Sequence, residues 1–447
     1  ASRARPLIRT FPQAHLQLTA DPAALLLRWT ASSPGCAPVV EYGEGDVALY
    51  VAAARRPTVA ATPYAATSYT AADMCGGRAR DTEFGRVWLY AARLEWLTPG
   101  ALHWYALGRR DAVPFTPPPA PSPHATLTFA AYGDAGEPGH PKCPGAAAVA
   151  DALASAVASR SLDLLLHVGD IAYADGDAGA WDRYAAAAEA AAGSVPLAVA
   201  VGNHEAADSR GECGVPLAAR YGDVGGWRAA LEAAAGDGTE KGIDAATLDT
   251  AAAPPFWYSF DAGPVAFTIL SSEHAVHPGS PQHAWAAARL LSVDRRVTPW
   301  SILALHRPLY VPFPHKANRE FGRVLRAALE PLLLAAGVDV VLAGHVHAYA
   351  RSCPVAAKVC APDGYGDDGP APPRGPIHFT LGTGGRRLSG VSTNQPHWVD
   401  AALSEWGHLR VVAGPGSLRA EFVSAATGDA VDAVEIRRGA GAATAAA

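Results

Sequence analysis

Six apolar runs between residues 126 and 344 constrain this chain more than any other feature. They are TLTFAAYG (126–133), LDLLLHVG (162–169), VPLAVAVG (195–202), PVAFTILS (264–271), SILALH (301–306) and VDVVLAG (338–344). A strand with no polar alternation is buried on both faces, and helices laid over a largely parallel sheet provide that cover. Ala-rich stretches at 145–160, 181–191, 281–292 and 318–336 are the candidate helices. The expected class is therefore α/β. The later runs IHFTLGTG, LRVVAG, LRAEFVS and AVDAVEI read as antiparallel strands finishing a second sheet.

Upstream the rhythm differs. The tract PFTPPPAPSPH (114–124) is a stiff, extended connector and marks a boundary. Before it, HLQLTA, ALLLRWT, PVVEYG, RVWLYAARL and ALHWYALG alternate with Pro, Gly and Asp, as in a small all-β sandwich. The expected division is residues 1–120 as the sandwich, 121–436 as the α/β unit and 437–447 as a disordered, Ala/Gly-rich tail. Two units also suit a chain of 447 residues. The Gly-, Ala- and Asp-rich stretch 206–255 is long for an idle connection and reads as a lid over the site, with a decoration of local helices as the alternative.

A formal charge of −6 argues against nucleic-acid binding, while protonating all 16 histidines would carry it to +10 in acid. No uninterrupted apolar stretch is long enough to span a membrane. The six cysteines form no CxxC pair, and an even, dispersed set suggests three disulfides, with Cys36–Cys75, Cys143–Cys213 and Cys353–Cys360 as the expected pairing. The opening ASRAR, without Met or signal segment, reads as a processed secreted chain or an artificially trimmed one, and no N-glycosylation sequon is present.

The apolar runs end in polar residues. Asp134 follows Gly133, Asp170 follows Gly169 with Tyr173 three residues on, and Asn203, His204 and Glu205 follow Gly202. His306 closes the fifth run, and Gly344 precedes His345 and His347. Loops at the carboxyl ends of such strands converge on one crevice. A set mixing carboxylates, a phenol, an amide and imidazoles suits two metal ions, with a bridging carboxylate balancing their charge. Asp170 is central enough to bridge.

The set GDxG, GDxxY, GNHE, a lone His after an apolar strand, and GHxH resembles the purple acid phosphatases, particularly the large plant-type members. TSYTAADMCGG (67–77), FTILSSEHAVHPGSPQHAW (267–285), VDRRVTPW (293–300) and AGHVHAYARS (343–352) extend the likeness over most of the chain. The resemblance implies a calcineurin-like metallophosphoesterase βαβαβ sandwich with two mixed sheets, preceded by a fibronectin type III-like domain. It implies Fe(III) held by Asp134, Tyr173 and His347, a divalent Zn, Mn or Fe ion held by Asn203, His306 and His345, and Asp170 between them. The implied activity is secreted or vacuolar acid phosphatase action on small phosphate monoesters, with phosphodiesterase, nucleotide pyrophosphatase or phytase action as alternatives. Monomer and homodimer stay open. His204 and His315 are candidate proton donors, and Lys316, where the best-known relatives carry a second histidine, is a candidate phosphate clamp.

Overall fold

The computed structural model describes residues 13–31, 39–46, 59–61, 65–81, 87–108, 111–206, 211–222, 253–313, 316–361 and 375–438. Its first part contains strands β1 (His15–Leu18), β2 (Leu25–Ala31), β3 (Val40–Glu44), β4 (Val59–Ala61), β5 (Ala65–Tyr69), β6 (Val87–Leu94), β7 (His103–Leu107) and β8 (Val113–Phe115). They pair antiparallel in two sheets, ordered β1-β2-β6-β5 and β4-β3-β7-β8. Leu25, Leu27, Trp29, Tyr42, Tyr105 and Phe115 meet between them, the alternating arrangement of a fibronectin-like sandwich.

The rest is a second, larger sandwich. One sheet holds β9 (Leu127–Tyr132), β10 (Leu164–His167) and β11 (Leu197–Val199) in parallel. The other holds β13 (Val265–Ile269), β14 (Trp300–Ala304), β15 (Val340–Ala343) and β19 (Ile377–Leu381) in parallel, with β12 (Tyr258–Ala262), β16 (Tyr349–Ser352) and β20 (Val399–Leu403) antiparallel at its edges. Alternation assigns the cores. Leu127, Phe129 and Ala131 of β9 face the opposing sheet, while Ala130 and Tyr132 face the helices. The helices are α1 (Ala146–Ala158), α2 (Ala178–Ala192), α3 (Asn203–Ala206), α4 (Val215–Tyr221), α5 (Pro281–Leu291) and α6 (Lys316–Ala335).

The closing runs divide differently from expectation. Only Ile377–Leu381 joins the second sheet; β21 (Gly407–Ala413), β22 (Ser417–Ser424) and β23 (Ala430–Arg437) extend the first through β9. The reason is that β9, at the border of the parallel group, offers a free ladder edge to β21.

The proline tract is docked along its length. Pro117 O accepts from Gly100 N, and Pro119 O and Ser122 N exchange hydrogen bonds with Gly263. The sandwich is also tied to α4 and its surroundings: Tyr105 Oη donates to Gly193 O, and Gln17 Nε2 donates to Tyr221 O. Most of the expected lid, at 207–210 and 223–252, and the tail from 439 lie outside the described residues.

The disulfide pairing is corrected in part. Cys353–Cys360 forms as expected, but Cys75 bonds to Cys213, and Cys143 is a buried free thiol beside Tyr173. Cys36 lies outside the described residues. Pairing within segments fails because Gly211 O accepts from Cys75 N, which brings the segment after GNHE onto the sandwich domain. Non-reducing peptide mapping is expected to yield a Cys75–Cys213 peptide, and Cys75→Ser/Cys213→Ser is expected to lower Tm, since a native disulfide is worth about 2–5 kcal/mol. A Cys143–Cys213 peptide would refute this assignment.

Candidate metal centre

The loops leaving β9, β10, β11, β14 and β15 at their carboxyl ends meet in one crevice. Asp134, Asp170, Tyr173 and His345 all sit there with positive φ, at 60°, 53°, 49° and 67°. A left-handed non-glycine residue costs about 1–3 kcal/mol, and a cluster of four points to function. Burial between the sheets holds the turns, each buried Leu or Phe being worth about 1.5–3 kcal/mol. Two glycines make the approach possible. A Cβ on Gly202 would lie 2.3 Å from Asp170 Oδ1, and one on Gly344 would lie 2.6 Å from Asp134 Oδ2.

The donor atoms fall into two groups. In the first, Tyr173 Oη donates to Asp134 Oδ1 at 2.7 Å and lies 3.0 Å from His347 Nε2, which is 3.3 Å from Asp134 Oδ1. In the second, His306 Nε2 is 3.3 Å from both Asp170 Oδ2 and Asn203 Oδ1, and Asp170, His306 and His345 offer ligand atoms within 4.8 Å of one another. The groups are linked by His345 N–H, which donates to Asp134 Oδ2 at 2.7 Å. Ligands about 2.1 Å from one ion at right angles stand about 3 Å apart, so the spacing fits coordinating groups.

Charge points the same way. Burial pushes the Asp134 carboxyl up, but its hydrogen bond to His347 and the His306 and His347 charges hold it below its usual value. Burial would lower His306, yet adjacent Asp170 pushes it up to about 10. A proton on His306 thus stands in for positive charge that two buried carboxylates demand. Tyr173 is raised well above the ordinary phenol value, by burial and then by Asp134 and Asp170; a bound cation would have to displace its proton. Burial, followed by the charges of His306 and Arg307, lowers His345 to about 3, leaving a neutral imidazole available as a ligand.

Supporting groups fix these side chains. Val168 O, 2.9 Å from His306 Nδ1, turns Nε2 to the site. Glu205 is buried and accepts from the N–H groups of Asp170, Ile171 and Gly202, tying two loops together; burial and the Asp170 charge push it up to about 8. Its role is to hold loop backbone, whereas His204 is oriented by Asp175, whose Oδ1 lies 2.6 Å from His204 Nδ1. Arg307 pairs with Glu273 and reaches His345 Nε2 at 3.2 Å, as does Asn318 Oδ1. Arg386 stacks 4.5 Å over the Tyr173 ring.

The structure thus brings together all seven candidate ligands and His204; Asp170, Asn203, His204, His345 and His347 line a cavity of about 540 Å³. Lys316 does not join them. It is exposed at the start of α6 and lines a neighbouring cavity, while Asn318 faces the centre in its place. His315 lies outside the described residues. Asn318 and Asp175 escaped sequence reasoning because neither belongs to a motif and their partners lie 27 and 29 residues away.

Comparison with known proteins agrees on family and fold. The calcineurin-like phosphoesterase model matches residues 127–349, and an iron/zinc purple acid phosphatase-like C-terminal model matches 375–433. A probable inactive purple acid phosphatase, number 27 of Arabidopsis thaliana, is 28% identical over 89% of this chain and 66% of the relative. A nucleotide pyrophosphatase/phosphodiesterase of Hordeum vulgare is 28% identical over 72% of this chain and 86% of the relative. The chain spans 43% to 66% of the length of the Arabidopsis relatives numbered 27, 24, 9 and 1. The fold matches that of a purple acid phosphatase from yellow lupin seeds, with a TM-score of 0.78 at 24% identity, over 96% of this chain and 74% of that one.

Proposed function

We propose that this chain, which belongs to the purple acid phosphatase family of calcineurin-like phosphoesterases, hydrolyses phosphate monoesters in mild acid at a two-metal centre. The observation that carries the reading is the convergence of Asp134, Tyr173 and His347 beside Asp170, Asn203, His306 and His345. Asp134, Tyr173 and His347 would hold Fe(III), for which phenolate and carboxylate are suited hard donors. Asn203, His306 and His345 would hold a divalent ion, with Asp170 shared. When bound, the ions would supply Lewis acidity and activate water for attack on phosphorus. His204, pinned by Asp175, would present Nε2 to the departing oxygen. Asn318 and Arg307 would orient His345 from outside.

Retention of all seven ligand types supports activity, even though several relatives carry the word inactive in their names. The barley relative brings phosphodiester cleavage as a second reading; comparing 4-nitrophenyl phosphate with bis(4-nitrophenyl) phosphate separates the two. Two disulfides support an oxidising, secreted or vacuolar setting, and no helix among the described residues is long and apolar enough to cross a membrane.

Metal analysis of the purified protein is expected to give two ions per chain, one of them iron, with a visible absorption band. Tyr173→Phe should remove that band. Folded protein that takes up no iron would sink the proposal, and a band unchanged in the variant would reassign the phenolate.

A further inference from the structure

A second concavity, of about 610 Å³, is lined by another face of α6, the helix whose Asn318 lines the metal-ligand cavity. Lys316, Arg319, Arg323 and Arg326 line one wall, with the i, i+3, i+7, i+10 spacing of a single helix face. The opposite wall carries Lys358, in the turn between β17 (Val355–Ala356) and β18 (Val359–Cys360). Five cations thus face one cavity with a single carboxylate, Glu320, which is already paired with Arg323 at 2.6 Å. Among the described residues neither Arg319 nor Lys358 has a carboxylate partner. This concentration runs against a chain whose formal charge is −6.

A basic helix stripe is often only a solvated face, but three features set this one apart. First, the far wall is fixed: the Cys353–Cys360 bridge spans the hairpin, Lys358 N–H donates to Tyr310 Oη at 3.2 Å, and Lys358 O lies 2.7 Å from His397 Nε2. Second, the turn residues Ala357 and Lys358 are both left-handed, with φ of 49° and 65°, where such turns favour Asn-Gly. Like charges three or four apart on the helix also repel one another, with Glu320 offsetting that of Arg323. Third, one helix serves both cavities: Asn318 lines the metal-ligand cavity and Arg319, the next residue, lines the basic one.

We propose that the basic cavity is an accessory subsite for a further phosphate of a small phosphoester bearing more than one, whose scissile phosphate occupies the candidate metal centre. The substrate class named here rests on the phosphatase reading above. Phosphate oxygens match what the walls offer: guanidinium forks for bidentate contact and lysine point charges. A monoester with one phosphate would leave the subsite unused.

The test compares fructose 1,6-bisphosphate with fructose 1-phosphate, which share a scissile group, on the metal-loaded enzyme at fixed ionic strength. The wild type is expected to favour the bisphosphate by about tenfold in kcat/KM, the effect of one or two charge-assisted contacts. In Arg319→Gln/Lys358→Gln that advantage should collapse through a rise in KM, with fructose 1-phosphate unchanged. Both substituted side chains are exposed, and circular dichroism checks that the variant folds. No advantage in the wild type, or an advantage that survives in the double variant, would overturn the proposal. If neither ester is hydrolysed, the activity reading fails and calorimetry with inorganic tripolyphosphate decides the subsite separately. Binding weakened in the double variant supports the subsite; equal binding in the two proteins overturns it.

Discussion

Replacing Asp170 with Asn is expected to leave the protein folded while lowering kcat on the order of 10³-fold, the equivalent of about 4 kcal/mol of barrier. The substitution keeps side-chain volume, which matters in a loop where Gly202 leaves no room beside Oδ1. It also keeps the backbone contacts, because Asp170 N–H still reaches Glu205 and an amide oxygen can still accept His204 N–H, as Oδ1 does at 2.9 Å. What disappears is one negative charge at the position proposed to be shared by the two metal ions. His306 would remain as a ligand, but without the carboxylate 3.3 Å from its Nε2. Imidazole and carboxylate would then no longer act as a pair toward a divalent ion. Metal content should fall below two per chain, with iron retained better than the divalent ion because Asp134, Tyr173 and His347 are untouched. Elemental analysis and initial rates on one aryl phosphate check both parts. A variant with its full metal content and wild-type kcat would remove Asp170 from the shared position.

Sequence reading located the candidate ligands because each sits at a place where chemistry and backbone demand coincide. Gly133, Gly169, Gly202 and Gly344 precede them at strand ends, and the strands are apolar enough to be recognised alone. Less legible was whatever depends on the direction of a side chain. Lys316 and Asn318 are two positions apart on α6, so their side chains point about 200° apart around the helix. Asn318 faces the centre, and Lys316 must face elsewhere. Nothing in the string HKAN decides which of the two is turned inward. Contacts between distant segments were equally hidden. Glu205 reaches back to Asp170 and Ile171, and Cys75 meets Cys213 across 138 residues. A rule favouring bridges within a segment selects against that kind of pairing. The strands β21 to β23 were recognised as antiparallel, but choosing their sheet required knowing that β9 had an edge to give.

The proton delivered to the leaving group should come from His204, and His204→Ala is expected to lower kcat/KM by about 10²–10⁴-fold for an alkyl phosphate. The geometry sets this side chain apart from its neighbours. His204 lies against the Tyr173 ring, with centroids 4.3 Å apart, while Nδ1 is fixed by Asp175 Oδ1 at 2.6 Å. That contact directs the other nitrogen toward the crevice, where Nε2 stands 3.8 Å from Asp170 Oδ2. The ring therefore sits beside the candidate metal centre without being among the closest ligand contacts. Two roles are open to it there: holding a phosphate oxygen, or protonating the oxygen that departs. Only protonation depends on leaving-group basicity, since an alkoxide needs a proton far more than a nitrophenolate does. Glycerol phosphate and 4-nitrophenyl phosphate compared in the wild type and His204→Ala should therefore show a much larger loss for the alkyl ester. Asp175→Asn should give a smaller loss with the same dependence, because it frees the ring without removing it. Equal losses on the two esters in His204→Ala would reduce His204 to a phosphate-positioning residue and pass the role of acid to His315.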